Sequence, residues 1–249
     1  MDWPDGYDRR VLAEVDSTNA EAERIAAEIS MTTWILGLRQ TSGRGRRGRS
    51  WEMPEGNFAA TLVMRPLETP DQIALRSFVA ALALYDALEA ATGRTDLLSL
   101  KWPNDVLLRG GKVAGILLES TGAGAGIGHI AIGIGVNLAV VPDAALLEPQ
   151  AVAPVSVFGE TSVRIAPEAF LTLLAQSYAR HEQSFVTYGF APVRELWLSR
   201  AARLGEVIKA RTMRDEFTGT FSTVDPTGNL VLETAQGRRV IPAADVFFE

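Results

Sequence analysis

"TTWILGLRQTSGRGRRGRSWEMPEGNFAATLVMRP", residues 32–66, is the stretch on which the fold turns. Its ends are β-rich runs, and between them Gly43, Gly45 and Gly48 stand in the spacing G-x-G-x-x-G. That spacing is the dinucleotide fingerprint when it follows a strand and opens a helix. Here no helix opens: "RSWEMPEGN" comes next, broken by Pro54 and Gly56, and then a second strand. The segment reads as strand–loop–strand, which sets a doubly wound dinucleotide fold aside. What the loop carries is charge, four arginines on three glycines in Gly43–Arg49. Guanidiniums so close repel one another unless an anion joins them, and they grip oxyanions bidentately. A phosphate-bearing small ligand, a single-stranded RNA contact of the Arg-Gly type and a solvated turn are the readings it leaves open.

On the N-terminal side, "YDRRVLAEV" alternates as a strand, and "DSTNAEAERIAAEI" reads as a helix opened by capping-type residues. On the C-terminal side, a long helix is expected from Asp71 to about Thr92, with Leu75, Phe78, Leu82, Tyr85 and Leu88 on one face and Gly93 as its stop. "LLSLKWPND" reads as a strand ending in a turn, and "VLLRGGKVAGILLES" as a hairpin about a Gly110-Gly111 turn. "TGAGAGIG" then leads to a strong strand, "HIAIGIGVNLAVV". Residues 142–167 are poorly patterned, and two helices are expected around Glu168–Tyr188 and Pro192–Arg203. From Gly205 onward only short strands and turns follow, as in a small barrel. The expectation is an α+β fold: a mixed β-sheet body packed with helices over residues 1–203, and a small β module over residues 204–249.

The chain has 249 residues, 47% of them apolar and 22% charged, which is globular composition. Lys plus Arg is 24 and Asp plus Glu is 30, a net charge of −6. An acidic total argues against dedicated nucleic-acid binding, where many phosphate contacts set affinity. No cysteine is present, so disulfides, thiolate catalysis and Cys-based zinc sites are excluded. The two histidines, His129 and His181, leave little scope for a Ser–His–Asp triad, and neither G-x-S-x-G nor a Walker phosphate loop nor the kinase H-R-D occurs. No signal-type or bilayer-length apolar run stands out, so a cytoplasmic protein without membrane contact is expected.

Five segments then occur in order: "DSTN" (Asp16–Asn19), "QTSGRGRRGRSW" (Gln40–Trp51), "KWPNDV" (Lys101–Val106), "GKVAGILLE" (Gly111–Glu119) and "IGIGVN" (Ile132–Asn137). Together they closely resemble the biotin protein ligase family, whose small C-terminal domain is SH3-like and whose catalytic domain is of the class II aminoacyl-tRNA synthetase type. The resemblance covers nearly the whole chain. It implies two steps: biotin's carboxylate attacks the α-phosphate of ATP to give biotinyl-5′-AMP, and a lysine of a biotin carboxyl carrier domain then takes the biotinyl group. Mg²⁺ is implied with the ATP.

Residue by residue, the resemblance implies Lys112, Arg46 and Asp105 as catalytic groups. It places Ser17, Thr18, Asn19 and Gln40 at the biotin ring, joined by Arg44, Gly45, Arg46 and Lys112, with Gly115, Leu117, Gly133 and Gly135 as strand walls. Arg44, Arg46, Arg49, Trp51, Asn104, Lys112 and Asn137 fall to the ATP and adenylate side, Trp51 stacking on adenine. No protein metal site is implied. On local grounds alone, Ser17 could be only a helix cap, Trp51 a core anchor, Lys112 an exposed turn lysine and Lys101 a surface charge or a phosphate contact. Gly133 and Gly135 could serve only close strand packing.

About 15 residues precede "DSTN", so the DNA-binding domain of repressor-type members is not expected, nor is operator binding. Members often pair side by side through the central sheet, which puts a homodimer among the expectations. The nearest rival is a lipoate or octanoate ligase of the same superfamily. A rival of another class is a non-catalytic biotin, nucleotide or RNA-binding module.

Overall fold

The computed structural model describes residues 2–66, 68–122, 128–142 and 152–248. Seven strands form one mixed sheet: β1 (Tyr7–Leu12), β2 (Thr32–Gly37), β3 (Phe58–Met64), β4 (Leu98–Lys101), β5 (Asp105–Leu108), β6 (Gly111–Thr121) and β7 (His129–Val136). Their order is β1-β2-β3-β7-β6-β5-β4, with β1 and β2 parallel and every other pair antiparallel. A second, antiparallel sheet of order β11-β10-β9-β8-β12 holds β8 (Val207–Arg211), β9 (Glu216–Val224), β10 (Leu230–Thr234), β11 (Gly237–Ile241) and β12 (Asp245–Phe248). The fold is the α+β type expected, with the small β unit at its C-terminal end.

Period-two alternation sorts the large sheet into two unlike faces. In β7, Ile130, Ile132, Ile134 and Val136 enter the main core, while Ala131, Gly133 and Gly135 point the other way. In β3, Phe58, Ala60, Leu62 and Met64 do the same, leaving Ala59, Thr61 and Val63 opposite. The apolar face is covered by α3 (Arg76–Thr92), α5 (Pro167–Tyr188) and α6 (Phe190–Ser199). Each fully buried large side chain there contributes roughly 1.5–3 kcal/mol. The small-residue face is only partly covered, by α1 (Thr18–Ile25), whose Ala22 and Ile25 pack on Ile35, Val63 and Ala131. The rest of that face is open to a ligand.

Several expected boundaries shift. The long helix divides into α2 (Pro70–Ala74) and α3, where Leu75 N bonds to Gln72 O and tightens one turn. Gly93 does end α3 in the left-handed region, at φ 67°. The hairpin turn is Arg109-Gly110, at φ 50° and 80°, while Gly111 already pairs with Leu108. The last strand before residue 142 stops at Val136, and α6 runs from Phe190 because Gly189, at φ 74°, separates it from α5. The poorly patterned stretch holds a short helix, α4 (Val157–Thr161); most of the glycine-rich link and residues 143–151 lie outside the described residues.

Candidate functional site

The site forms where four sequence-distant segments meet over the small-residue face. Gly115 pairs with Gly135 and Leu117 with Gly133, so four predicted wall residues are cross-strand partners on β6 and β7. A Cβ on Gly133 would stand 2.2 Å from Asn19 Oδ1, and one on Gly135 would stand 2.3 Å from the Trp51 ring. The glycines therefore admit side chains from outside the sheet; they do not serve close strand packing.

At the Gly133 end the pocket is lined mainly by uncharged polar groups, Ser17, Thr18, Asn19 and Gln40. Ser17 accepts from Ala20 N as the cap of α1, so it is a cap and a pocket residue at once. Thr18 N donates to Gln40 Oε1 at 2.9 Å, and Asn19 Nδ2 donates to Glu119 Oε2 at 2.7 Å. Thr61, fully buried, joins both, its hydroxyl 2.8 Å from Thr18 Oγ1 and 2.6 Å from Asn19 Oδ1.

At the Gly135 end the groups are charged. Pairing of β5 with β6 slips by one residue, Val106 facing Ala114 and Leu107 facing Lys112, which leaves Val113 as a bulge. Val113 and Ala114 both enter the core, so the bulge restores Lys112 to the pocket face beside Gly115. Without that extra residue strict alternation would turn Lys112 into the helices. Its Nζ lies 2.7 Å from Asp105 Oδ1, and Lys101 Nζ lies 3.4 Å from Asp105 Oδ2. Burial would raise the Asp105 pKa, but Lys112 and Lys101 together hold it below the usual carboxylate value. Burial likewise pulls Lys101 below the ordinary lysine value, against the opposing pull of Asp105. Lys101 is 7% exposed, so it is no surface charge.

The arginine loop is a small hairpin. Trp51 N donates to Gly43 O and Gly45 N to Arg49 O, and Arg47 and Gly48 turn the chain at positive φ. Two arginines share one carboxylate of the other sheet: Arg47 Nη1 and Arg49 Nη2 lie 2.6 and 3.0 Å from Asp245 Oδ2. Arg44 reaches Glu119 at 3.6 Å, and Arg46 donates to Asn104 Oδ1 at 3.2 Å while burial lowers its pKa. The loop's repulsion is thus relieved in part by the protein's own acids. Trp51 belongs to neither apolar core; it lies across Gly115 and Gly135, 5.8 Å below the Lys112 ammonium. Asn137, 2% exposed, donates to Val155 O, and its Oδ1 has no hydrogen-bond partner among the described residues. Every site residue expected from the sequence lines this one pocket, whose volume is about 430 Å³, within the small-molecule range.

A profile described as "Biotin/lipoate A/B protein ligase family" matches residues 11–137, and one described as "Biotin protein ligase C terminal domain" matches residues 204–249. The "Biotin--[acetyl-CoA-carboxylase] ligase" of Paracoccus denitrificans is 58% identical over 238 residues, 96% of this chain and 99% of that one. The chain belongs to the biotin protein ligase family. Within the family, the "Bifunctional ligase/repressor BirA" of Bacillus spizizenii is 32% identical over 93% of this chain and 71% of its own length. The solved biotin protein ligase from Aquifex aeolicus "in complex with biotin and ATP" superposes with a TM-score of 0.79 at 26% identity, covering 96% of this chain and 97% of that one.

Beyond the residues that the motifs of this family member suggested, Asp245 and Phe247 line the pocket, and Thr61, buried behind it, ties Thr18 to Asn19. Thr61 was discoverable as the one hydroxyl in an otherwise apolar strand, and Lys101, read as a surface charge or a phosphate contact, lies buried beside Asp105. Asp245 and Phe247 come from the second sheet, and no local spacing ties them to the arginine loop.

Proposed function

We propose that the chain is an ATP-dependent biotin protein ligase, with the observation carrying the assignment being one pocket that grades from mainly uncharged to cationic along a glycine floor. Hydroxyls and amides at the Thr18–Thr61 end both donate and accept, as a ureido ring requires. Arg46, Lys101 and Lys112 lie at the other end, where two anions must meet. Biotin's carboxylate oxygen attacks the α-phosphorus of ATP, and the bond to pyrophosphate breaks. Bringing those like charges to about 4 Å costs about 4 kcal/mol at an effective dielectric near 20, which fixed cations offset. Lys112 stands between the two reacting groups, Arg44, Arg46 and Arg49 close over the adenylate, Trp51 stacks on adenine, and Asn104 and Asn137 complete the nucleotide side.

In the second step a lysine amine of a carrier domain attacks the acyl carbon and AMP leaves. At pH 7 such an amine is neutral in about one molecule in 2,500. Asp105, pinned between two ammoniums, is a poor proton acceptor, which supports a role in orienting the incoming amine over deprotonating it.

Among the described residues no cluster of three or more Asp, Glu, His or Cys could hold a metal ion, and both pocket aspartates face cations. Mg²⁺ enters this reading with the ATP, much of its coordination coming from phosphates and water. The acceptor is the biotin carboxyl carrier domain of a carboxylase, and nucleic acid and membrane take no part. A division into a catalytic unit, 1–203, and a C-terminal unit, 204–249, belongs to the same reading. Pairing of two copies through the large sheet and a cytoplasmic location complete it; no described helix is long and apolar enough to cross a membrane.

Biotin-dependent exchange of labelled pyrophosphate into ATP, with lipoate in parallel, tests the proposal. Exchange with biotin alone is expected. Exchange with lipoate alone would transfer the chain to the lipoate branch of its superfamily.

A further inference from the structure

One carboxylate serving two lysines poses a question that adenylation sharpens. The Lys112 side chain is 31% exposed and its ammonium lies 2.7 Å from Asp105. Under the function proposed above, on which this inference rests, Lys112 must turn from Asp105 to the reacting carboxylate and phosphate. A carboxylate left alone at 8% exposure would take up a proton, because burial disfavours its charge.

Lys101 is built to prevent that. Its side chain is 8% exposed, its ammonium lies 3.4 Å from Asp105 Oδ2, and the Phe248 ring, 5.7 Å away, backs it from the second sheet. We infer that Lys101 is the positioning residue that keeps Asp105 charged and in place once Lys112 has moved to the ligand, so that Asp105 can receive the acceptor lysine. Lys112 is the exposed, exchangeable partner; Lys101 is the buried, permanent one. The charged groups facing Asp105 are Lys101 from β4, Lys112 from β6 and Arg46 from the arginine loop, and Asp245 of β12 acts on Lys101 from the far side.

The test separates the half-reactions. Enzyme loaded with biotinyl-5′-AMP is mixed with a biotin carboxyl carrier domain, and single-turnover transfer is followed from about pH 5.5 to 8.5, a range wide enough to reveal a carboxylate pKa raised by loss of its cation. Taking the ratio of variant to parent rate cancels the acceptor's own titration. For Lys101→Met the ratio is expected to be level at high pH and to fall up to tenfold per unit at the acid end; for Lys101→Arg it should stay level. Thermal melting and adenylate retention establish that each variant is folded and loaded. Should Lys101→Met not fold, Lys101→Gln, which keeps a hydrogen-bonding head without the charge, carries the same expectation. A ratio independent of pH in a folded neutral variant, or an equal acid fall in Lys101→Arg, overturns the inference. A parent enzyme that forms no adenylate would instead remove the function on which it rests.

Discussion

At Gly135 one methyl group decides whether Trp51 keeps its place. Gly135→Ala sets a Cβ 2.3 Å from the indole, and Gly133→Ala sets one 2.2 Å from Asn19 Oδ1, each too close without movement. Overpacking of this kind costs roughly 1–3 kcal/mol. Gly133→Ala is expected to weaken biotin about 10- to 100-fold, while Gly135→Ala should weaken the nucleotide more than biotin; calorimetric titration with each ligand distinguishes them, and equal losses in both variants would contradict the two-ended pocket. Lys112→Ala should lower biotin-dependent pyrophosphate exchange by roughly 10²–10³, as for other oxyanion-stabilising groups. Arg46→Gly should permit adenylation yet release the adenylate faster, read as its dissociation rate. Residue types were legible at this scale because each motif pairs a chemistry with a spacing. The purpose of Gly133 and Gly135 was not, since what approaches them comes from α1 and the arginine loop.

Between elements, the helical layer is tied by Asp86 of α3, which accepts from His181 of α5 at 2.7 Å and from Arg200, just past α6, at 2.7 Å. Burial raises the Asp86 pKa, but His181 and Arg200 outweigh it and hold the carboxyl below its ordinary 3.8. A depressed folded-state pKa adds stability above the unfolded value and loses it as pH falls through the folded one. Asp86→Asn should therefore destabilise the protein near neutrality by about 1–3 kcal/mol, the usual cost of breaking a partly buried charged hydrogen bond. Its loss of melting temperature relative to the parent should shrink as pH drops below 3.8; a constant difference would refute the tie. Alternation and turn chemistry made most strands legible, whereas the bulge at Val113 was invisible, because a one-residue slip is a property of the pairing and not of either strand. The turn at Arg109-Gly110 was misplaced by one residue because two adjacent glycines offer the same freedom, and only the Leu108–Gly111 pair selects between them.

For the whole molecule, the second sheet is fastened to the pocket through β12. Asp245 grips Arg47 and Arg49, Phe247 lines the pocket, and Trp102 Nε1 donates to Gly228 O. Asp245→Ala should loosen residues 43–49, seen as faster proteolysis there, and raise the KM for ATP with a smaller change in that for biotin. A change confined to biotin would contradict the contact. Arg47 and Asp245 are 198 positions apart, so no local pattern could have joined them. That distance also orders events during synthesis. All seven strands of the large sheet have been made once Val136 has emerged, yet the anchor of the arginine loop arrives only with residues 245–248. Through that interval a nascent chain owns the strands of the pocket floor but lacks the Asp245 carboxylate that fastens Arg47 and Arg49.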